Sequence, residues 1–205
     1  MIGIIDYGMG NLGSVANALD HLGLEAAIVD NPGQLGAYDH LILPGVGSFG
    51  IAMRSLNVSG WSDALRQKVA DGVPFLGICL GMQLLFDIGE ENGTIAGLGL
   101  IPGRVLPLNP VPPCRVPHVG WNGLSYPRHH PLFQGVKEHV DFYFVHSYQC
   151  VPTLQEDVLA RCDYGGEFAA AVGKANVVGV QFHPEKSQDM GLKILENFAE
   201  WDGTC

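Results

Sequence analysis

The sequence contains few basic residues and little charge of either sign. Only 11 of its 205 residues are lysine or arginine, against 21 aspartates and glutamates, so the formal net charge is −10. Nucleic acids and anionic lipid surfaces are bound through basic patches, so this balance argues against both as partners. A negative net charge by itself does not indicate a particular partner, so it serves only to exclude nucleic acids and anionic lipid surfaces.

Long apolar runs and paired cysteines are missing too. The longest mostly apolar run, residues 73–86, is too short to cross a bilayer, and the first residues lack the basic start and cleavage site of a signal peptide. The five cysteines are odd in number and form no Cys-x-x-Cys pair, which disfavours a disulfide framework and a zinc site. We therefore expect a cytoplasmic protein that uses no metal ion and no cofactor. The cysteines are Cys79, Cys114, Cys150, Cys162 and Cys205.

The order of apolar segments predicts one α/β domain that spans residues 1–205. Predicted strands at 2–5, 26–29, 41–43 and 75–78 alternate with predicted helices at 12–22, 51–56, 64–69 and from the fourth strand through Phe86. These strands alternate little between polar and apolar residues, as strands of a parallel sheet covered by helices do. Short strand-like runs follow at 142–145, 158–160, 168–172 and 177–182, before a closing helix at 192–201. We expect a mostly parallel central sheet, flanked by helices, with an antiparallel extension.

A nucleophile-elbow pattern follows the fourth predicted strand. Gly77-Ile78-Cys79-Leu80-Gly81 has the form Gly-x-Cys-x-Gly where a strand passes into a helix. The sharp turn exposes the central side chain, and the flanking glycines keep strand and helix from colliding. The start of a helix favours the thiolate, which is the attacking form of cysteine, and the Leu80 N–H is placed to bind an oxyanion. Cys79 is therefore a candidate nucleophile.

His183-Pro184-Glu185 supplies a candidate base late in the chain, after the predicted strand 177–182. Nucleophile elbows on α/β sheets take their histidine from such a late position. We expect Pro184 to keep His183 extended, so that His183 and Glu185 project from the same face. A carboxylate beside an imidazole holds its tautomer and stabilises the imidazolium, which predicts a triad of Cys79, His183 and Glu185.

With these two motifs the sequence resembles the class I, or triad, glutamine amidotransferases over essentially its whole length. The elbow with Gln83 four residues after the cysteine, and Phe182-His183-Pro184-Glu185, are the two marks of that family. The resemblance implies that Cys79 attacks the carboxamide of glutamine. It further implies that the thioester so formed is hydrolysed to glutamate after ammonia has left.

The resemblance also assigns supporting roles around the nucleophile. It implies that glutamine is bound by Gln83 and by the backbone around Ser147 and Tyr148. It implies a second oxyanion donor from the loop 44–47, where glycines on both sides of Val46 let the peptide between them reorient at little cost. The implied oxyanion hole consists of Leu80, Gly45, Val46 and Gly47.

More selective segments are similar to one branch of this family, the glutaminase subunits of imidazole glycerol phosphate synthase. These segments are residues 6–11, 44–49, 117–122, 142–148 and 181–187. In that branch the glutaminase forms a heterodimer with a (β/α)8-barrel cyclase of histidine biosynthesis, which receives the ammonia. The resemblance implies a cyclase-facing surface, and tryptophan is common in such interfaces. Its implied members are Met9, Asn11, Val119 and Trp121.

Other interpretations stay open at this point. Residues 8–13 read Gly-x-Gly-x-x-Gly after a predicted strand, and Asp30 ends the next strand, which also fits a dinucleotide-binding module. Against it, Asp6 and Tyr7 crowd the turn, where an acid would repel a pyrophosphate, and the triad would have no role. The remaining alternatives are a glutaminase subunit of another ammonia-using synthase and a cysteine-based sensor or peptidase on a similar sheet.

Overall fold

Strands alternate with helices in the first half of the chain and dominate the second half of the computed structural model, which describes residues 1–204. The α-helices are α1 (Leu12–His21), α2 (Phe49–Val58), α3 (Trp61–Ala70), α4 (Leu80–Leu84) and α5 (Gln188–Glu200). The first strands are β1 (Ile2–Ile5), β2 (Ala26–Val29), β3 (His40–Gly45), β4 (Phe75–Cys79), β5 (Phe86–Gly89), β6 (Ile95–Ala96) and β7 (Ile101–Pro107). The later strands are β8 (His118–Gly123), β9 (Asp141–His146), β10 (Tyr148–Pro152), β11 (Val158–Asp163), β12 (Glu167–Lys174) and β13 (Val177–Val180).

One mixed sheet carries the fold. Its strand order is β2-β1-β3-β4-β13-β12-β10-β7-β5-β6, with β11 paired to β12. The strands from β2 to β13 run parallel to one another, and β13, β12, β10 and β7 continue the sheet through antiparallel pairs. β8 and β9 form a separate antiparallel ribbon. The predicted α/β class, with a parallel centre and an antiparallel extension, is confirmed.

The parallel strands are buried on both faces, as a sheet between helices requires. Every residue of β4 is buried, and neighbouring side chains point to opposite faces. Leu76 and Ile78 join the apolar cluster that includes residues of α1 and α5, whereas Phe75 joins the cluster that includes residues of α2 and α3. The carboxyl ends of β3, β4 and β13 lie side by side in this sheet, and the candidate site forms there.

Several predicted boundaries are wrong. The helix expected to run through Phe86 ends at Leu84, and Phe86 begins β5, where it pairs with Ile101 of β7. The predicted strand 177–182 ends at Val180, and the last helix begins at Gln188 instead of residue 192. The apolar run continues across the change from helix to strand, so its periodicity could not mark the boundary. Within residues 1–204, no helix is both long and apolar enough to cross a membrane.

Candidate active site

Cys79 lies at the sharp turn between β4 and α4. Its backbone angles are φ 56° and ψ −110°, a conformation that non-glycine residues rarely adopt and that is concentrated at functional sites. A Cβ on Gly77 would lie 2.6 Å from the Gly81 carbonyl oxygen, and a Cβ on Gly81 would overlap the Leu43 carbonyl oxygen. Both glycines of the motif are therefore required by packing. Because α4 is only five residues long, its charge effect on Cys79 is smaller than the predicted longer helix implied.

His183 and Glu185 meet as predicted, although the local backbone differs from the prediction. His183 Nδ1 lies 2.8 Å from Glu185 Oε1, and the two side chains are 2% and 1% exposed. The stretch Pro184–Lys186 is a 3₁₀ turn instead of an extended segment, and it brings the carboxylate back to the ring. The His183 N–H donates to the Tyr143 carbonyl of β9 at 2.9 Å, which anchors the turn to the ribbon.

The surroundings of His183 favour its protonated form. Burial opposes the charge, but the hydrogen bond to Glu185, together with the negative charges of Cys79 and Glu185, outweighs burial and raises the pKa of His183 to about 9. Because Glu185 occupies Nδ1, Nε2 is the nitrogen left for Cys79, and no group among residues 1–204 forms a hydrogen bond with it. A protonated imidazole at this position can supply a proton to a leaving group.

We expect His183 to titrate with a midpoint near pH 9, measured by ¹⁵N NMR of histidine-labelled protein. Since this pKa exceeds the ordinary 6.5, protonation of His183 contributes to the free energy of unfolding at lower pH, and the contribution is lost as the pH rises through about 9. Glu185→Gln removes a negative charge beside the ring and should lower the midpoint. A wild-type midpoint at or below 6.5 would contradict the assigned arrangement.

A cavity of about 320 Å³ opens beside Cys79. This volume is within the range of small-molecule sites. The cavity brings together most of the residues that the sequence predicted, and Glu185 and Gly45 lie behind it, on a smaller cavity that Asn11 also lines. The predicted residues on the main cavity are Val46, Gly47, Cys79, Leu80, Gln83, Ser147, Tyr148 and His183. Sequence reasoning missed Glu91, and it included the lining residues Pro117, Val145 and His146 only within the segments 117–122 and 142–148, without a role in the site.

The loop after β3 lies against the nucleophile. Gly45 is paired with Cys79 in the parallel ladder between β3 and β4, and Gly47 has a φ of +103°, which favours glycine. A Cβ on Gly45 would lie 2.5 Å from the Tyr7 hydroxyl, and one on Gly47 would lie 3.1 Å from Met9 Cε. Met9, which was predicted to face a partner, therefore also packs against this loop.

Two glutamine side chains lie near the nucleophile: Gln83 lines the cavity, and Gln181 is fully buried beside it. Gln83 Nε2 donates to the Tyr148 carbonyl at 3.4 Å and to Gln181 Oε1 at 3.1 Å. Gln181, which the sequence marked only as part of a longer segment, donates its Nε2–H to Cys79 Sγ at 3.8 Å. The nucleophile is thus in contact with a buried amide as well as with the triad.

The β8–β9 ribbon has one apolar face exposed. Val119 pairs with Val145 and Trp121 with Tyr143, and residues that lie directly opposite in an antiparallel pair share a face. Val119 and Trp121 are 54% and 44% exposed, in agreement with a role at an interface. Asn11, by contrast, accepts a hydrogen bond from the Ser14 N–H at the start of α1.

The glycine-rich turn at residues 8–13 does not form a pyrophosphate site. Asp6 Oδ1 accepts the Gly8 N–H at 2.9 Å, so the carboxylate occupies a donor that a phosphate would need. Among residues 1–204, Cys79, Cys114, Cys150 and Cys162 are free thiols, and no cluster of His, Cys, Asp and Glu is arranged to hold a metal ion. Cys205 lies outside the described residues.

Comparison with known proteins identifies the family. The family model described as glutamine amidotransferase class-I matches residues 3–201. The imidazole glycerol phosphate synthase subunit HisH of Moorella thermoacetica is 51% identical over 201 residues, which cover 97% of this chain and 94% of that protein. The same subunit of Geobacillus thermodenitrificans is 52% identical over 203 residues, which cover 97% and 94%.

Solved structures agree on the fold. A crystal structure of a glutamine amidotransferase matches with a TM-score of 0.75 at 23% identity, over 96% of this chain and 98% of that one. A structure of PurLQS from Thermotoga maritima matches with a TM-score of 0.77 at 22% identity, over 97% of both chains. The chain belongs to the class-I glutamine amidotransferase family and, within it, to the HisH glutaminase subunits of imidazole glycerol phosphate synthase.

Proposed function

We propose that Cys79, His183 and Glu185 carry out the glutaminase reaction. The Cys79 thiolate attacks the carboxamide carbon of glutamine, and the C–N bond breaks as His183 gives its proton to the departing ammonia. His183 then takes a proton from water, and the resulting hydroxide attacks the γ-glutamyl thioester. The C–S bond breaks, and glutamate and the thiolate are released. Glu185 holds the ring of His183 throughout.

The observation that carries this proposal is the strained elbow of Cys79 at the mouth of a cavity that His183 also lines. Rare backbone conformations persist only where the surrounding structure holds them, and they are concentrated where a side chain must be presented to substrate. The buried His183–Glu185 pair, 2.8 Å apart, supplies the acid and its orienting carboxylate. All three groups lie within residues 3–201, which the class-I glutamine amidotransferase family model matches.

We assign the oxyanion hole to the backbone on two sides of Cys79. The Leu80 N–H directly follows the nucleophile, whereas Gly45 ends the strand that pairs with β4, and Val46 and Gly47 follow it. Val46 and Gly47 line the cavity, so a backbone N–H from this loop can reach the oxygen of the substrate amide after a local rotation. The glycines make that rotation inexpensive.

Glutamine binding would involve charge as well as hydrogen bonds. Gln83, Ser147 and Tyr148 line the cavity, as the sequence predicted, and the carboxylate of Glu91 joins them. Glu91 Oε2 accepts the Phe49 N–H at 2.6 Å, which fixes the carboxylate at the start of α2. A fixed carboxylate in the cavity suits the α-ammonium group of an amino-acid substrate.

We propose that the partner is a (β/α)8-barrel cyclase, bound as a heterodimer through the exposed ribbon face and the segment around Met9 and Asn11. A partner that binds Val119 and Trp121 would touch the ribbon whose Tyr143 carbonyl holds the His183 N–H. Ammonia passed directly to such a partner avoids protonation in water. The unpaired, widely spaced cysteines support a cytoplasmic location for this complex.

The test combines a pull-down with a coupled assay. We expect the chain to co-purify with the barrel cyclase, and we expect the cyclase with its nucleotide ligand to stimulate glutamine hydrolysis strongly. His183→Ala should abolish glutamine-dependent synthesis, Glu185→Ala should reduce it less, and both variants should still support synthesis from ammonium salts. Full hydrolysis without the cyclase, or loss of the ammonium-dependent reaction in the variants, would contradict the proposal.

A further inference from the structure

A line of buried hydrogen bonds begins on the β8–β9 ribbon and leads to the cavity. His118 Nε2 lies 2.8 Å from Asn122 Oδ1, an atom that the amide can exchange with Nδ2 by rotation, and His118 Nδ1 lies 2.9 Å from His146 Nε2. His146 Nδ1 lies 2.8 Å from the Tyr148 carbonyl oxygen. The two rings are buried, at 0% and 6% exposed, and the proposed reaction uses neither of them.

The line continues from Tyr148 to the nucleophile. The carbonyl that faces His146 also accepts from Gln83 Nε2 at 3.4 Å, and Gln83 donates in turn to Gln181 at 3.1 Å. Gln181 is fully buried and reaches Cys79 Sγ at 3.8 Å. The histidine pair is therefore linked to the wall of the cavity and, through two amides, to the reacting sulfur.

Counting protons defines the state of the pair. The Tyr148 carbonyl can only accept, so His146 must carry its proton on Nδ1. If the Asn122 amide presents its oxygen, His118 must be protonated on Nε2, and two bare nitrogens then face each other at 2.9 Å unless a third proton lies between them. If the amide presents its NH₂ group instead, every contact is satisfied by two neutral rings.

Burial decides between these states. Burial lowers the pKa of His118 although the hydrogen bond with Asn122 opposes it, and burial lowers the pKa of His146 to about 4, with the neighbouring His118 and His183 acting in the same direction and the Tyr148 carbonyl opposing. A third proton is therefore unfavourable near neutral pH. The neutral pair requires Asn122 to donate, so the hydrogen bonds from Asn122 through His118 and His146 to the Tyr148 carbonyl all point the same way.

We propose that the His118–His146 pair positions the residues of the glutamine site. Both rings of the pair are neutral and protonated at Nδ1, and Asn122 donates a hydrogen bond to His118 at the end away from the cavity. The inference rests on the proposed function in that the cavity binds glutamine. His118 touches neither the cavity nor Cys79, and it acts through His146. Its own ring is held by stacking on Phe144 and Tyr164, with centroids 4.9 Å and 3.8 Å away.

The positioning has a specific consequence for binding. An N–H at 2.8 Å fixes the Tyr148 carbonyl, which fixes the amide of Gln83 that donates to it. Without His118 to donate to Nε2, His146 is free to move its proton to Nε2, and a bare Nδ1 would then repel the carbonyl oxygen. The wall of the cavity would lose its defined geometry while the triad stays in place.

Two measurements on the protein in complex with the cyclase test this. In the wild type, two-bond ¹H–¹⁵N NMR spectra should show His118 and His146 as neutral Nδ1–H tautomers at pH 7, and an Nε2–H tautomer of His118 would overturn the proposal. His118→Phe, which retains a stacking ring, should raise the KM for glutamine by about tenfold. A tenfold change corresponds to the loss of one hydrogen bond worth about 1.4 kcal/mol. The kcat of this variant should change by less than about threefold, because the triad is untouched.

Two control variants distinguish a positioning role of His118 from a general effect of disturbing a buried side chain. His118→Gln, whose amide can donate to His146 Nε2, should restore most of the KM. His130→Phe alters another buried histidine, one that accepts the Leu132 N–H away from the cavity, and should leave KM unchanged. An unchanged KM in His118→Phe would refute the positioning role, whereas a wild-type complex without glutaminase activity would refute the proposed function instead.

Discussion

Cys79→Ala is expected to abolish glutamine hydrolysis, with a loss of at least about 10⁴-fold. The sulfur is the atom that forms the thioester, and no other thiol lines the cavity among residues 1–204. The fold should be retained, because alanine keeps the Cβ and the sulfur's hydrogen bonds to the Val145 carbonyl and to Gln181 are long, at 3.9 Å and 3.8 Å. The variant should therefore bind the cyclase and support synthesis from ammonium salts.

The measurement is glutamate release by the complex, compared with ammonium-dependent synthesis in the same preparation. Cys114→Ala is the matched control, since it removes a partly exposed thiol that does not line the cavity and should leave both rates unchanged. Near-normal glutamate release by Cys79→Ala would refute the proposed thioester mechanism. Loss of both reactions together would show instead that the substitution damages the fold or the complex.

Gly81→Ala is expected to lower the free energy of unfolding by about 4 kcal/mol or more. A Cβ at this position would overlap the Leu43 carbonyl oxygen of β3, which is main chain and cannot rotate away. Either the elbow must open or β3 must shift, and β3 ends in Gly45, which is paired with Cys79. The substitution should therefore impair both folding and catalysis, although it adds a single methyl group.

Gly13→Ala is the matched control, because Gly13 also lies in a helix and a Cβ there would meet nothing within 4 Å. In that open position alanine should raise the free energy of unfolding by about 0.5–1 kcal/mol. Urea or guanidinium unfolding of the two variants measures the difference directly. Equal stability of Gly81→Ala and Gly13→Ala would show that the elbow does not depend on the absence of a side chain.

The triad and its elbow could be predicted because their constraints act between near neighbours. Gly77 and Gly81 flank Cys79 within two residues, and a Cβ on Gly77 would meet Gly81 within the same turn, although a Cβ on Gly81 would meet Leu43 of the neighbouring strand β3. His183 and Glu185 are two residues apart, and they meet even though the backbone between them is a 3₁₀ turn and not extended. A short motif thus predicted the contact correctly and the conformation incorrectly.

The rest of the site could not be predicted this way. Glu91 faces the cavity through a hydrogen bond to Phe49, 42 residues away, and Gln181 reaches Cys79 across 102 residues. No local pattern marks Glu91, and Gln181 belongs to a segment whose pattern does not indicate a contact with Cys79. Phe86 likewise begins a strand because it pairs with β7, and its apolar surroundings look the same as those of the helix before it.

The sequence alone determined the fold class and marked the proposed triad of Cys79, His183 and Glu185, because apolar patterning and short motifs are properties of neighbouring residues. The low content of basic residues in the sequence only excluded nucleic acids and anionic lipids as partners, and the sequence motifs were needed to indicate a protein partner. Tertiary structure decided which polar groups complete the site. The rings of His118 and His146, 28 residues apart, become a single hydrogen-bonded pair only when β8 lies against β9 and burial keeps both rings neutral. Such pairs depend on strand register and on the exclusion of water, and both arise only in the folded chain.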